Sequence, residues 1–268
     1  MGPTHAISGA AAWLVGSAVA AHFGAYLQSP LELTTYTIAC AGAALLPDLD
    51  CSGRVTANRG GATVAHTFGI VSLFAAECVE KTSLGVYNLT RSRRDGRRRN
   101  GHRTFTHTWI FAALVGTGVG SLAEHYGKIA VVISLFLLFG MGIRGLLAES
   151  AKSSGWVIIT ALSALAAYVA IDLLPADRGY PLLGLAVGAG CLVHTLGDMI
   201  TKAGCPVLWP LPIRGERWYE IGLPDAIALR AGGAVEKAVV VPLFLAVAVL
   251  GVIISVPGVT TLVSHFSL

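Results

Sequence analysis

Six stretches of this chain stay apolar over nearly the length a helix needs to cross a bilayer, roughly 20 residues for a hydrocarbon core about 30 Å thick. They are Ala6–Leu27, Phe105–Ala123, Ile129–Leu147, Trp156–Leu174, Leu182–Ile200 and Ala238–Val256. A seventh, Thr35–Leu46, is shorter and spans only if tilted or extended into its flanks. Only 13% of the 268 residues are charged, against roughly 25% in an average soluble domain, which excludes an ordinary soluble globule. The runs are long, rich in Gly and Ala, and lack the alternation of a barrel strand. The expected fold is therefore all-α, a polytopic membrane bundle of six or seven segments. It forms one domain over residues 1–268 with two insertions, an Arg-rich one at 51–103 and a Pro/Trp-rich one at 201–237.

Lys and Arg set the orientation. All of the 19 except Lys128 and Arg178 fall in three regions: the connection from Cys51 to Arg103, the turn flanked by Arg144 and Lys152, and the loop from Thr201 to Lys237. These regions are expected in the cytoplasm, with the amino terminus beside them and, for seven spans, the carboxyl terminus outside. The first segment ends in small residues like a signal peptide, but Met1-Gly2-Pro3-Thr4-His5 carries no basic side chain, so it reads as a membrane helix. Within the first connection, Gly61–Glu80 reads as a helix on the membrane surface or packed on the core. Arg91–Arg103 reads as a solvated, orienting loop able to meet anionic lipid. It has no interleaved aromatics and no recognisable nucleic-acid module, so nucleic acid is not an expected partner. The prolines of Lys202–Glu236 exclude a continuous helix there, leaving an ordered loop over the helix ends. The five cysteines form no CxxC pair and read as small buried residues.

Folding the segments back and forth brings His5, Asp48, Asp50, His102, His107, His194 and Asp198 to one face, the one the arginines mark. His194 and Asp198 are four apart and share a helix face, a spacing that suits one ion or a plain helix-packing hydrogen bond. His102 and His107 bracket a helix start in Gly-His-Arg-Thr-Phe-Thr-His-Thr. Asp48 and Asp50 close Leu-Leu-Pro-Asp-Leu-Asp at the membrane edge, where helix-end solvation is the plainer account, though not on an Arg-dominated side. Imidazoles and carboxylates gathered at one level of an apolar protein call for a ligand. Seven N and O donors without cysteine suit zinc, manganese or iron, in one to three ions.

At these motifs the chain resembles the YdjM family of inner-membrane, LexA-regulated metal-dependent hydrolases. The matching pieces are Thr4-His5, Leu45–Asp50, Gly101–His107, and His194–Thr201 running on into Gly204–Leu211. That family is in turn distantly similar to zinc-dependent phospholipase C and the S1/P1 nucleases. The resemblance implies metal ligation, or its close support, by His5, Asp48, His102, His107, His194 and Asp198, with Asp50 included, and a multi-pass location in a bacterial-type inner membrane. Thr104 and Thr108 depart from the usual Gly-His-Arg-Gly-x-Thr-His-Ser. His66, in a long insertion, is a further candidate ligand, and Glu236 a further ligand, a general base or a solvated helix-start carboxylate.

The expected function is a membrane-bound metal-dependent hydrolase cleaving a phosphoester, such as a phospholipid or lipid-linked phosphate, at the cytoplasmic leaflet. Asp50 or Glu236 is the expected proton carrier, and Arg103, Arg214 or Arg217 the holder of the anionic headgroup. The alternative is a non-enzymatic membrane protein that binds ions structurally, transports them or serves as an adaptor. Transport would need polar groups at mid-membrane, whereas Ile129–Gly142 and Trp156–Ile171 carry no charge.

Overall fold

In the computed structural model, which describes residues 2–51, 64–147, 151–174 and 180–256, glycine, proline and hydroxyl side chains place the helix ends. Helix α1 is Gly2–His22. Helix α2, Pro30–Ala43, opens with Pro30 and a reciprocal cap in which Ser29 Oγ accepts from Glu32 N and the Glu32 carboxylate accepts from Ser29 N, satisfying two orphan helix-start donors. Pro47 then begins a tight 3-10 turn, Pro47–Asp50. Helix α3, Ile70–Thr90, follows Gly69, whose φ of 62° suits a residue without a Cβ. A second 3-10 turn, Phe105–His107, leads to Thr108, whose hydroxyl accepts from Phe111 N and caps α4, Trp109–Tyr126. The remaining helices are α5 Lys128–Leu146, α6 Ala151–Leu173, α7 Pro181–Met199 and α8 Val241–Ser255, the last entered through a π-turn, Glu236–Val240.

These eight α-helices are the regular structure of the described residues, whose only β features are isolated bridges such as Thr201 with Leu229 and Cys205 with Ile221. The protein is a helical membrane bundle. Among the described residues, five helical segments are long and apolar enough to cross a membrane: Gly2–His22, Lys128–Leu146, Gly155–Leu173, Leu182–Met199 and Glu236–Ser255. The expectation of six or seven is thus met in part. Helix α2 has 14 residues, and α4 begins four residues later than the apolar run and ends in Glu124-His125-Tyr126.

Helices α2 and α7 form the centre. α1 packs on α2, α7 and α8, α2 also meets α5 and α7, α4 lies along α7, and α6 along α5. In lipid no hydrophobic drive pushes helices together, so close backbone packing through small residues takes its place. A Cβ on Gly42 would lie 1.9 Å from Leu138 O, one on Gly184 2.5 Å from Gly116 O, and one on Gly190 2.6 Å from Cys40 O. Around this centre Leu33, Tyr36, Leu135, Leu138, Leu183 and Val187 are buried, while Leu243, Leu245 and Val249 of α8 face outward, as lipid contact requires.

Helix α3 differs from the expected 61–80 helix in starting at Ile70 and running to Thr90; residues 61–63 lie outside the described set. It packs against both 3-10 turns, so closely that a Cβ on Gly101 would lie 2.1 Å from Glu80 O.

Candidate metal centre

Alternating helix direction carries the polar residues to one end of the bundle. His5 lies in the first turns of α1, Asp48 and Asp50 in the turn after α2, His102 and His107 before α4, and His194 and Asp198 in the last turns of α7. There they meet. The rings of His5 and His194 stack with centroids 4.0 Å apart, and His5 Nε2 is 3.5 Å from Asp198 Oδ1. Gly197 makes room for this stack, since a Cβ there would lie 3.2 Å from the His5 ring.

The two central imidazoles are held by their outer nitrogens. His194 Nδ1 is 2.8 Å from Ala44 O, and His107 Nδ1 is 3.0 Å from Thr106 Oγ1, whose hydroxyl donates to Asp50 Oδ2 at 2.5 Å. A carbonyl can only accept, so His194 carries its proton on Nδ1. Thr106, having donated its hydrogen to Asp50, can only accept from His107. Both Nε2 atoms therefore turn inward, 3.1 Å apart. Asp198 Oδ2 lies 3.4 Å from His107 Nε2 and 3.8 Å from His194 Nε2, and Asp48 Oδ1 lies 3.8 and 3.7 Å from the same atoms. Ligands about 2.0–2.1 Å from a tetrahedral zinc stand about 3.3–3.4 Å apart, close to these separations. Asp198 Oδ2 is buried without a hydrogen-bond partner among the described residues, a costly state for a carboxylate oxygen. The donor set fits a divalent ion, and outer N–H groups anchored to carbonyl and carboxylate-linked partners are the usual support of ligating histidines.

Asp50 is saturated. Its oxygens accept from Arg103 N at 3.2 Å and from Thr106, and lie 2.7 Å from His102 Nδ1 and 3.4 Å from His107 Nδ1. Burial alone would raise its pKa, but His107 and His102 outweigh that and hold the carboxyl at about 2. Burial likewise opposes charge on His107, yet Asp50 and Asp48, with Asp198 beyond, push its pKa up to about 10. The carboxyl of Asp48 is also held well below its usual value, His194 and His107 overcoming its burial. A cation held between the two Nε2 atoms would need both as neutral, lone-pair nitrogens.

Each expected site residue has a definite position. Arg103, expected to bind substrate, donates to Asp198 Oδ1 at 3.0 Å, Thr201 Oγ1 at 3.2 Å and Gly204 O at 3.1 Å, so its guanidinium is spent within the centre. Arg217 donates to Thr90 O, and Arg214 lies over the Tyr219 ring; both belong to the loop packed on Ser92–Arg98, with none of the seven His and Asp residues among these partners. Glu236 takes the Thr4 hydroxyl at 2.5 Å and Gly232 N at 2.6 Å, beside the first turn of α1. His66 is exposed and belongs to none of the ligand groups found among the described residues.

Three further residues near the centre lie outside the expected site set. Thr106 links Asp50 to His107, and its position beside His107 in the Thr-rich helix start was the available signal. Arg98 reaches the His102 carbonyl at 3.4 Å and pairs with Glu220. Cys51 places Sγ 3.1 Å from His102 Nδ1 and 3.7 Å from Nε2; burial, then Asp48 and Asp50, push its thiol pKa up. Among the other cysteines Cys40, Cys191 and Cys205 are buried as expected, and Cys78 is exposed.

Comparison with curated proteins and with solved structures finds no match. The family model for the YdjM inner membrane protein matches residues 1–258, nearly the whole chain, and the protein therefore belongs to that family.

Proposed function

We propose that this protein is a multi-pass, metal-dependent hydrolase whose centre opens to the cytoplasmic leaflet, where it cleaves a phosphoester such as a phospholipid or lipid-linked phosphate. The observation that carries the reading is the buried, unpartnered Asp198 Oδ2 facing two imidazole Nε2 atoms whose outer nitrogens are already engaged. His107, His194, Asp48 and Asp198 would hold the ion, with His5 behind them. When bound, such an ion supplies Lewis acidity and lowers the pKa of a coordinated water towards about 7.

The chain's own groups do the rest. Asp50 orients His102 and His107, and Arg103 balances the Oδ1 side of Asp198 while leaving Oδ2 for the ion. Access favours chemistry over a sealed structural site: His107 and His194 are 0% exposed, but the side chains of Asp48 and His102 are 22% and 28% exposed at the rim. The rim is also where Arg98 and the basic segment stand, which suits an anionic substrate. Apolar outer helix faces and the bias of Lys and Arg support the membrane orientation.

The test is elemental mass spectrometry on detergent-purified protein, then a phosphoester and phospholipid screen with the metal found. Wild type is expected to carry at least one equivalent of zinc, manganese or iron, and Asp198→Ala and His107→Ala to lose it. A folded wild type that stays metal-free after incubation with these ions would overturn the metal reading. A loaded protein inert towards every phosphoester would overturn the substrate class alone.

A further inference from the structure

Helix α3 has two unlike faces. Ser72, Ala76, Ser83 and Tyr87 are buried against the protein, whereas Ile70, Val71 and Phe74 are 82%, 70% and 70% exposed. Three large apolar side chains on the first turns of one helix form an exposed patch, and Ile70–Ala76 carries no charged residue. The chain leading into this patch sits at membrane depth. The Phe68 ring stacks on Phe136 with centroids 4.8 Å apart and lies against Gly140. Those two residues stand ten and six positions before the end of α5 at Leu146, about 15 and 9 Å along a spanning helix. Gly69 lies against the Trp156 ring, where a Cβ would be 2.9 Å away, and Trp156 is the second residue of the spanning segment Gly155–Leu173.

Non-helical backbone at such a depth has to satisfy its polar groups within the protein. Here hydroxyl groups do so: Ser72 Oγ accepts from Phe68 N at 2.9 Å and donates to Ala65 O at 2.8 Å, and Thr67 Oγ1 donates to Val64 O at 2.8 Å. The patch also continues the outer surface of the bundle, since Trp156, Val157 and Ile158 of α6, next to Gly69, are exposed.

We propose that the first half of α3 is immersed in the bilayer, in the leaflet at the metal-centre end, with Ile70, Val71 and Phe74 covered by lipid acyl chains and Phe68 anchoring the entry turn on α5. Acyl chains fit the patch because it extends a surface that already faces lipid and ends where charge begins. Glu77, Glu80 and the exposed Lys81 follow it on α3, and the arginines of Arg91–Arg99 follow the helix, the order in which a segment leaves hydrocarbon for headgroups. Since α3 packs on both 3-10 turns, which carry Asp48, Asp50 and His107, a single helix about 10–12 Å wide separates those turns from lipid on this side. The inference rests on the membrane bundle and is independent of the hydrolase reading.

The test is quenching of a fluorescent thiol label on the full-length protein in phosphatidylcholine and phosphatidylglycerol nanodiscs, which leave both membrane faces open to solvent. Cys51→Ser and Cys78→Ser remove the two thiols that are not buried, and the label is then carried by Val71→Cys, Phe74→Cys, Lys81→Cys or Val157→Cys in turn. Labels at 71 and 74 are expected to match the one at 157, quenched by lipid with a nitroxide on its acyl chain and protected from iodide. The label at 81 should be quenched several-fold more strongly by iodide. Using two positions on the patch guards against a disturbance caused by losing Phe74 alone. Iodide quenching at 71 or 74 equal to that at 81 would overturn the proposal. Shielding of either label from both quenchers would overturn it as well, because the patch would then be covered by protein, and cross-linking between copies would show whether a second chain is the cover. Metal content, measured on the same nanodiscs, reports on the metal centre separately.

Discussion

Two buried carboxylates at the same end of the bundle have opposite surroundings. Asp95, 6% exposed, sits among backbone donors: Ser92 N at 2.5 Å and Arg217 N at 3.3 Å reach Oδ2, and Trp218 N at 3.0 Å reaches Oδ1. Those bonds outweigh its burial and lower its pKa. Asp198, 1% exposed, has Arg103 on one oxygen and, among the described residues, no donor on the other, which looks towards two imidazole nitrogens. The first is a structural carboxylate, satisfied by the loops it ties together. The second has an oxygen that no donor among the described residues completes, and the proposed cation site rests on it.

The comparison breaks most sharply under exchange of the two acids for neutral residues. Asp198→Asn is expected to abolish metal retention, lowering affinity more than 100-fold by competition titration, while Asp95→Asn leaves stoichiometry and affinity at wild-type values. Equal metal loss in both variants would mean that Asp198 acts through folding alone. Next in size is Asp50→Asn, which keeps the shape but withdraws the charge that orients His102 and His107. Removing such outer support typically costs about 10–100-fold in metal affinity, and a value unchanged from wild type would remove Asp50 from the centre.

Much of this was legible beforehand because helices alternate in direction. Once the apolar runs are laid antiparallel, His5, Asp48, His107 and Asp198 must share an end, and only the residue order is needed to say so. What the order could not supply is which side-chain atoms saturate which. Asp50 reads in sequence like Asp48, yet its position behind Thr106 makes it an orienting group, and Arg103 turns from headgroup holder to partner of Asp198 for the same reason. Helix α3 escaped its expected limits because a positive-φ glycine at 69, rather than the apolar pattern, sets its start. Asp95 is the single acid in the Arg91–Arg103 run; its role depends on Arg217 and Trp218, more than 120 residues away.

The Asp95 cage carries a pH expectation with a fixed sign. A carboxyl whose folded pKa is lowered adds stability that is present above its unfolded value, about 3.9, and is lost as pH falls through the folded value. Trp218 stacks on Trp209 at 4.9 Å over this cage. Its fluorescence should therefore hold steady from neutral pH to about 4 and change below, and Asp95→Asn should show the altered signal already at pH 7. Charge-assisted bonds of this kind are worth about 1.5–3 kcal/mol each at most, a local loosening that leaves the transmembrane helices in place. An acid transition identical in wild type and Asp95→Asn would assign it to another group.

The smallest effect expected is also the most specific. Gly197 lies within α7, three residues after His194 and against His5, where a Cβ would stand 3.2 Å from the ring. Alanine is favoured over glycine inside a helix by about 0.8–1 kcal/mol, so by helix propensity alone Gly197→Ala should leave thermal stability equal or raised. The added methyl nevertheless has to displace the His5 imidazole by a few tenths of an ångström, moving Nε2 relative to Asp198 Oδ1, now 3.5 Å away. A few-fold loss of metal affinity with unchanged stoichiometry and undiminished thermal stability would place His5 in contact with the ion's environment. Affinity and stability falling together would instead make the His5–His194 stack a packing contact, and the ligand set would then close on His107, His194, Asp48 and Asp198.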